Sequence, residues 1–243
     1  MTWSIVARDA SGALGIAIAS RFFAVGALCP YARAGVGAVA TQALVNPLYG
    51  SAALAHLAAG HDPAGTIELL IAGDAGCAAR QVHVVDAAGR TAAYTGADCV
   101  PWCGHLAGDG FSVAGNMLAG AKVVEETAQA YARNASTDFA LRLMAAMEAG
   151  EAAGGDKRGK QSIALLIVTT EDYPALDIRV DDHPEPHAEL RRLHAKSLER
   201  FQPFVACLPT RRNPAGIVER AVIEREIERF RAAHVAAARL IDG

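Results

Sequence analysis

The chain has 243 residues, 52% hydrophobic and 20% charged, which supports a sizeable buried core and excludes disordered, collagen-like and coiled-coil classes. Its formal net charge of -3 gives no general attraction to nucleic acid or to an anionic membrane. The apolar runs are too short to cross a bilayer, no basic leader opens the sequence, and five cysteines are too few for a disulfide scaffold. We therefore expect a cytoplasmic protein without a nucleic-acid or membrane partner.

The first third of the chain predicts strands followed by a pair of helices. Three runs of alternating or β-branched residues predict strands, the first two forming a hairpin: 2–8, 14–20 and 35–42. Two helical stretches follow, 51–59 and 62–72. Gly60 ends the first, and Asp62 with Pro63 starts the second.

The same order then repeats. A second hairpin is predicted over 81–86 and 90–96, and a short strand, 110–116, leads into a helix over 117–133. Ser136 or Asp138 caps a further helix, 139–149, and the apolar run 163–168 predicts a strand buried on both faces. Helix pairs between hairpins predict a layered α+β fold rather than single-helix βαβ alternation. We predict one domain over 1–180 and a helical extension over 181–243.

Thr2 is the first candidate for chemistry. Removal of Met1 would place a hydroxyl and a free α-amine on the same residue, so that the amine acts as the base for its own nucleophile. Arg21, at the end of the second strand, is either a buried charge near Thr2 or a strand-edge residue. On composition alone, Thr2 is better explained as the first β-branched residue of a strand.

Two strand-to-helix turns offer groups that could hold an oxyanion. Thr41, Gln42 and Asn46 surround the first turn, where backbone N–H groups are free to stabilise negative charge. Asn116 stands at the second. Both asparagines are also ordinary helix caps, and capping alone explains Asn116.

A glycine-rich, basic loop precedes the last predicted strand. Asp156 with Arg158 and Ser162 is suited to orienting an amine or binding a substrate carboxylate, and Lys157 adds a positive charge. A solvated loop explains the lysines equally well. The loop is not a phosphate-binding loop, because Gln161 takes the hydroxyl position and a strand follows.

Asp181, Asp182 and His183 form the best metal candidate, since carboxylates and imidazoles bind divalent ions. Two prolines interrupt the spacing to His187, and Asp182 is better explained as a cap of the next helix. We expect no metal and no cofactor.

The chain resembles the N-terminal nucleophile (Ntn) hydrolases, and more closely a bacterial family catalogued as domain of unknown function 1028 within that superfamily. Five segments carry the resemblance: 4–9, 35–43, 115–118, 154–162 and 179–183. The resemblance implies a four-layer αββα sandwich with two central antiparallel sheets. It does not supply an activity.

By similarity to proteasome-type members, Thr2 would be the nucleophile, the turn after Thr41 the oxyanion site, and Asp156 with Ser162 the support for the amine. Those proteases carry a lysine beside the nucleophile, whereas this chain has none before Lys122. Arg21 or Lys157 would have to replace its charge, and arginine cannot relay a proton.

The function predicted is therefore cleavage of an amide bond in a small molecule or peptide, and the alternative is a binding or regulatory protein that lost catalysis. Metal-assisted hydrolysis at residues 181–183 is a weaker third option. The C-terminal extension carries an apolar stripe on a helix rich in Arg and Glu: Ile217, Val218, Val222, Ile223, Ile227 and Phe230. This stripe leads us to expect a homodimer.

Overall fold

The computed structural model describes the backbone of residues 2–241 and the side chains of residues 2–233. The described residues form ten strands: β1 (Thr2–Arg8), β2 (Leu14–Ser20), β3 (Pro30–Arg33), β4 (Gly37–Ala43), β5 (Arg80–Asp86), β6 (Thr91–Thr95), β7 (Gly104–Gly108), β8 (Phe111–Asn116), β9 (Ser162–Val168) and β10 (Leu176–Val180). They also form seven helices: α1 (Leu48–Ala58), α2 (Pro63–Ala72), α3 (Lys122–Arg133), α4 (Phe139–Ala152), α5 (Pro186–Glu199), α6 (Phe201–Val205) and α7 (Arg220–Ile241).

The strands form two antiparallel sheets. The six-stranded sheet has the order β10-β9-β2-β1-β8-β7, and the four-stranded sheet has the order β3-β4-β5-β6. Both predicted hairpins are confirmed: β1 pairs with β2 and β5 pairs with β6. Their turns place Gly12 at φ 90° and Gly89 at φ 85°, the left-handed region that glycine adopts without steric cost. The strands β3, β7 and β10 were not predicted.

The structure confirms two predicted helix caps and corrects one predicted helix start. The Asp62 side chain accepts from Gly65 N at 2.8 Å, and that of Asp138 accepts from Leu141 N at 3.1 Å, so both capping predictions are confirmed. The predicted helix start at Met117 is wrong, because β8 runs through Asn116 and α3 begins only at Lys122.

Apolar side chains fill two spaces around the four-stranded sheet. One cluster joins residues of both sheets: Val6, Leu14, Ile16, Ala38, Ala40 and Val85. The second joins the other face of the four-stranded sheet to α1 and α2: Val39, Val82, Val84, Tyr49, Ala53, Leu57, Ile67 and Leu70. On the six-stranded sheet, a Cβ added at Gly15 of β2 would lie 2.7 Å from Leu143 Cδ1, so α4 packs closely on that sheet.

The described residues divide into two compact units, the first ending at Leu190 and the second beginning at Arg191. The predicted boundary near residue 180 falls at the end of β10. In the second unit, Ile227 of the predicted stripe is buried, whereas Val218 is 83% exposed. Arg200 pairs with Glu224 at 2.6 Å. The homodimer stays a prediction. No helix in residues 2–241 has the length and apolar composition needed to cross a membrane.

Candidate functional site

Thr2 lies in a row of polar side chains at one end of the six-stranded sheet. It stands opposite Asn116 of β8, and its Oγ1 donates to Ser20 Oγ of β2 at 3.2 Å. Ser20 in turn stands opposite Ser162 of β9. Residues directly opposite in antiparallel strands share one face of the sheet. We call Asn116, Thr2, Ser20 and Ser162 the strand-end row; all four are buried, and Thr2 is 5% exposed.

The strand-end row faces the four-stranded sheet. Alternate residues of a strand share a face, so Thr2 points the same way as Ser4 and Val6. Val6 belongs to the apolar cluster between the sheets, and Ser4 Oγ donates to Gln42 Oε1 of β4 at 2.7 Å. The Thr2 hydroxyl therefore points toward the end of the space between the two sheets, where it donates to the Ser20 hydroxyl.

Asp156 fixes the glycine-rich loop to the end of β2. One carboxylate oxygen accepts from Arg21 N at 2.9 Å and from Arg158 Nη2 at 3.0 Å, and the other accepts from the backbone N and Nε of Arg158. The Asp156 side chain is buried, and the residue forms a β-bridge with Leu118. Because Arg21 directly follows Ser20, this carboxylate holds the chain next to the strand-end row.

Ser162 holds the same segment from the other side. Its hydroxyl donates to Phe22 O at 2.6 Å and accepts from Val25 N at 3.2 Å. Asp156 and Ser162 thus both fix the turn after β2, close to Thr2. Their predicted role as supports for the Thr2 amine stays a prediction.

The cations predicted to replace a lysine are engaged with backbone carbonyls. Arg21 Nη1 donates to Lys160 O at 2.6 Å, and Lys157 Nζ donates to Pro101 O at 2.9 Å. Both contacts occupy the charged end of the side chain with a partner other than Thr2. An electrostatic role at the nucleophile stays a prediction for each.

The polar side chains in the turn after β4 are hydrogen-bonded to neighbouring protein groups. Thr41 Oγ1 donates to Asn46 O at 3.1 Å, Asn46 Oδ1 accepts from Leu48 N at 3.2 Å, and Asn46 Nδ2 donates to Asp74 at 3.2 Å. Asn46 therefore starts the turn before α1, as its interpretation as a turn starter predicts, but its interpretation as the helix cap is wrong, because Pro47 takes that position. Gln42 points instead into the space between the sheets. The oxyanion role of these three residues stays a prediction.

A polar network joins the two sheets beneath the strand-end row. We call it the inter-sheet network: Ser4, Gln42, Gln81, His83, Ser112 and Asn116. Gln81 Oε1 accepts from Gln42 Nε2 at 2.8 Å and from Asn116 Nδ2 at 2.9 Å, and Gln81 Nε2 donates to Gly115 O at 2.9 Å. Asn116 is thus no helix cap, and the capping interpretation of its side chain is wrong. Its amide links β8 to the opposite sheet.

His83 is the titratable member of the inter-sheet network. Its Nε2 lies 2.7 Å from Ser4 Oγ and its Nδ1 lies 3.1 Å from Ser112 Oγ. Ser4 gives its one hydroxyl proton to Gln42, so His83 carries its proton on Nε2 and accepts from Ser112 at Nδ1. Burial, with a smaller effect of His105, lowers the pKa of His83 to about 3. The imidazole is neutral at physiological pH and serves as a hydrogen-bond bridge.

A cavity of about 330 Å³ lies beside Asn116. We call it the Asn116 cavity after its lining: Ala43, Leu44, Ala79, Asp98, Cys99, Val100, Asn116 and Met117. Ala43 has φ 69° and Met117 has φ 54°, both in the left-handed region that side chains other than glycine rarely adopt. Each such residue costs on the order of 1–3 kcal/mol, and such strain concentrates at functional sites.

Similarity to known proteins places the chain in a family. A family model described as "Family of unknown function (DUF1028)" matches residues 2–190. The chain belongs to this family. Protein SPO2555 from Silicibacter pomeroyi, a solved structure with the same family model, is similar at TM-score 0.83 and 29% identity, over 90% of this chain and 96% of that chain. Anbu (ancestral beta-subunit) from Yersinia bercovieri reaches TM-score 0.38 and 12% identity, over 81% and 94%. None of the curated proteins compared with the chain matches it.

The DUF1028 match ends at Leu190, where the first compact unit also ends. The strand-end row, the inter-sheet network and the Asn116 cavity all lie within it. Sequence reasoning missed Gln81 and His83, although a signal was present: both alternate with valines in β5, as side chains on one face of a strand do.

The predicted metal candidate of the DUF1028 unit is engaged in other contacts. Asp181 pairs with Arg179 at 2.9 Å, Asp182 Oδ1 accepts from Gln161 at 3.1 Å, and His183 Nδ1 accepts from a backbone N–H. Among the side chains of residues 2–233, no group of three or more His, Cys, Asp or Glu is placed to hold a metal ion. The interpretation of Asp182 as a cap is wrong, because α5 begins well after it.

Proposed function

We propose that the chain is an Ntn-type hydrolase that cleaves an amide bond of a small molecule or peptide, with Thr2 as the nucleophile once Met1 is removed. One observation carries the proposal: Thr2 Oγ1 lies in a buried polar row that faces the space between the two sheets, and it donates a hydrogen bond to Ser20.

The proposal includes the four-layer αββα sandwich implied by the resemblance. Its support is the packing of each sheet. The four-stranded sheet contacts the six-stranded sheet on one face and α1 and α2 on the other. The close approach of Leu143 and Phe139 to Gly15 supports α4 as part of a fourth layer on the far face of the six-stranded sheet.

The chemistry requires a free amine on Thr2. An α-amine has a pKa of about 7.7–8.0, so part of it is unprotonated near neutrality. It accepts the hydroxyl proton as Oγ1 attacks the substrate carbonyl, and the proton passes to the departing amine as the C–N bond breaks. The acyl ester left on Thr2 is then cleaved by water, which releases the acid and restores the hydroxyl.

In this proposal, Asp156 and Ser162 act by holding the segment next to Thr2 in place. Both fix the segment that follows Ser20, so the hydroxyl that accepts from Thr2 is held in place. We propose that this support, rather than direct contact with substrate, is their role. The turn after Thr41 supplies the oxyanion site in the same proposal.

A binding protein that lost catalysis is the second candidate. It is favoured by the contacts of Arg21 and Lys157, whose charged ends bind the carbonyls of Lys160 and Pro101. In that case Thr2→Ala leaves ligand binding unchanged.

The two candidates are separated by the mature N-terminus and by covalent labelling. Protein purified from its native cell is expected to begin at Thr2, and a β-lactone is expected to acylate Thr2, seen by mass spectrometry of the N-terminal peptide. Thr2→Ala abolishes the label, whereas the exposed control Thr137→Ala retains it. Retention of Met1, or equal labelling of Thr2→Ala, contradicts the hydrolase.

A further inference from the structure

The Asn116 cavity adjoins the proposed nucleophile. Asn116, which lines it, stands directly opposite Thr2 in the β1–β8 pairing. Opposed residues of antiparallel strands have Cβ atoms about 4.5–5.5 Å apart. A group lying in the cavity is therefore one strand away from the Thr2 hydroxyl.

The lining of the Asn116 cavity suits an uncharged apolar group. Leu44 and Val100 are 67% and 42% exposed, although both are large apolar side chains. The Cys99 thiol donates to Arg80 O, and burial raises its pKa, so it remains neutral. The one charged lining residue is Asp98, which disfavours an anion.

The size of the cavity selects a small occupant. Ligand pockets span roughly 300–1,000 Å³, and 330 Å³ is at the lower end of that range. This volume accommodates one amino-acid side chain or a group of similar size.

The cavity walls are fixed by the backbone. Leu44 N donates to Ala79 O at 3.1 Å, and Met117 N donates to Val100 O at 2.8 Å. The left-handed residues Ala43 and Met117 each stand at the end of a strand and border the cavity. Hydrogen bonds thus hold both strained positions in place, which is how a preformed site is built.

We propose that the Asn116 cavity is the specificity subsite of the hydrolase: it takes a small, apolar, uncharged side chain next to the scissile amide and rejects acidic ones. This inference rests on the proposed function, because it assigns the substrate class of that reaction. Of the inter-sheet network it uses only Asn116, and it uses nothing in the second unit.

Methyl-labelled methionine NMR tests the subsite by binding alone. The chain has four methionines, of which Met117 lines the cavity, whereas Met144 and Met147 are buried in α4 and serve as internal controls. The Thr2→Ala variant is titrated with N-acetyl-leucine amide, N-acetyl-glycine amide and N-acetyl-glutamate amide. The leucine amide is expected to shift the Met117 signal and to bind on the order of tenfold more tightly than the glycine amide. The glutamate amide is expected to bind no better than the glycine amide.

A matched pair of variants locates the binding. Val100→Asp in the cavity is expected to remove the response to the leucine amide, and Leu69→Asp, an exposed position on α2, is expected to keep it. Equal shifts with the glutamate amide, or a silent Met117 signal, overturn the subsite. A silent Met117 in a protein whose Thr2 is acylated leaves the hydrolase and removes only the subsite. A responding Met117 in a protein whose Thr2 is never acylated supports the cavity as a binding site and overturns the hydrolase.

Discussion

His83→Gln removes the titratable group from the inter-sheet network while retaining an amide that can still donate. In the parent chain the imidazole donates to Ser4 and accepts from Ser112, and neither hydroxyl is accessible to solvent. A glutamine side chain reaches only one of them well. Near pH 7.5 we expect a loss of about 1–3 kcal/mol in the free energy of unfolding, the usual effect of one unpaired buried group.

The pH dependence of the free energy of unfolding gives a more specific expectation for His83. The pKa of His83 is about 3 in the folded chain, because of burial first and His105 second, against about 6.5 for an unperturbed imidazole. Between these values the unfolded chain binds a proton that the folded chain does not. Stability from His83 is fully present above about pH 6.5 and is lost below it by about 1.4 kcal/mol per pH unit. At pH 5 the free energy of unfolding of the parent is lower by roughly 2 kcal/mol because of this site, whereas the variant has no titratable group there and is unaffected.

Urea unfolding at pH 7.5 and at pH 5 measures the effect. The stability difference between parent and His83→Gln is expected to shrink by roughly 2 kcal/mol at the lower pH. Comparing the two proteins cancels His187, whose pKa burial also lowers, to about 4. Ser112→Ala is the matched control: it removes a hydrogen-bond partner and no titratable group, so its deficit is expected to stay constant. If the deficit of His83→Gln is also constant, His83 is not held neutral by the fold.

Three further changes test the site and the packing. Asp156→Asn removes the charge of a buried carboxylate whose arginine partner is 39% exposed, and it is expected to lower the free energy of unfolding by about 1–3 kcal/mol, measured by urea unfolding. Ala43→Gly relieves a left-handed alanine and is expected to raise the melting temperature, with a gain of about 0.5–1 kcal/mol, whereas Ala38→Gly within β4 lowers it. Gly15→Ala forces a methyl group against Leu143 and is expected to lose about 1–3 kcal/mol; a neutral result would contradict the close packing of α4 on β2.

Local chemistry was sufficient to predict the hairpins and two helix starts. Asp62 and Asp138 each carry a short acceptor that binds an N–H three residues ahead, an interaction contained within one turn. The turns at Gly12 and Gly89 are likewise specified by a residue that tolerates positive φ. Such features need no knowledge of the rest of the chain.

Long-range contacts explain what the sequence did not reveal. Asn116 and Met117 have the pattern of a helix start, yet the Asn116 amide is bound by Gln81 from the opposite sheet and the chain stays in a strand. The candidate residues Thr2, Asp156 and Ser162 could be selected from sequence, but their contacts depend on strand order. The pairing of β2 with both β1 and β9 is what brings a residue from each next to Ser20.

Two features of the first unit break the usual local rules: the buried inter-sheet network and the left-handed residues Ala43 and Met117. Structure alone explains the first and not the second. Some buried side-chain polar atoms in residues 2–233 lack a hydrogen-bond partner, but none of them belongs to the inter-sheet network. The network is therefore satisfied, and a structural role, holding the two sheets together, is sufficient to explain it. The left-handed Ala43 and Met117 have no such explanation, because glycine at either position would remove the strain. Departures from local rules without a structural gain are expected at functional sites. Both residues border the Asn116 cavity beside Thr2, and for that reason we propose substrate recognition in this cavity.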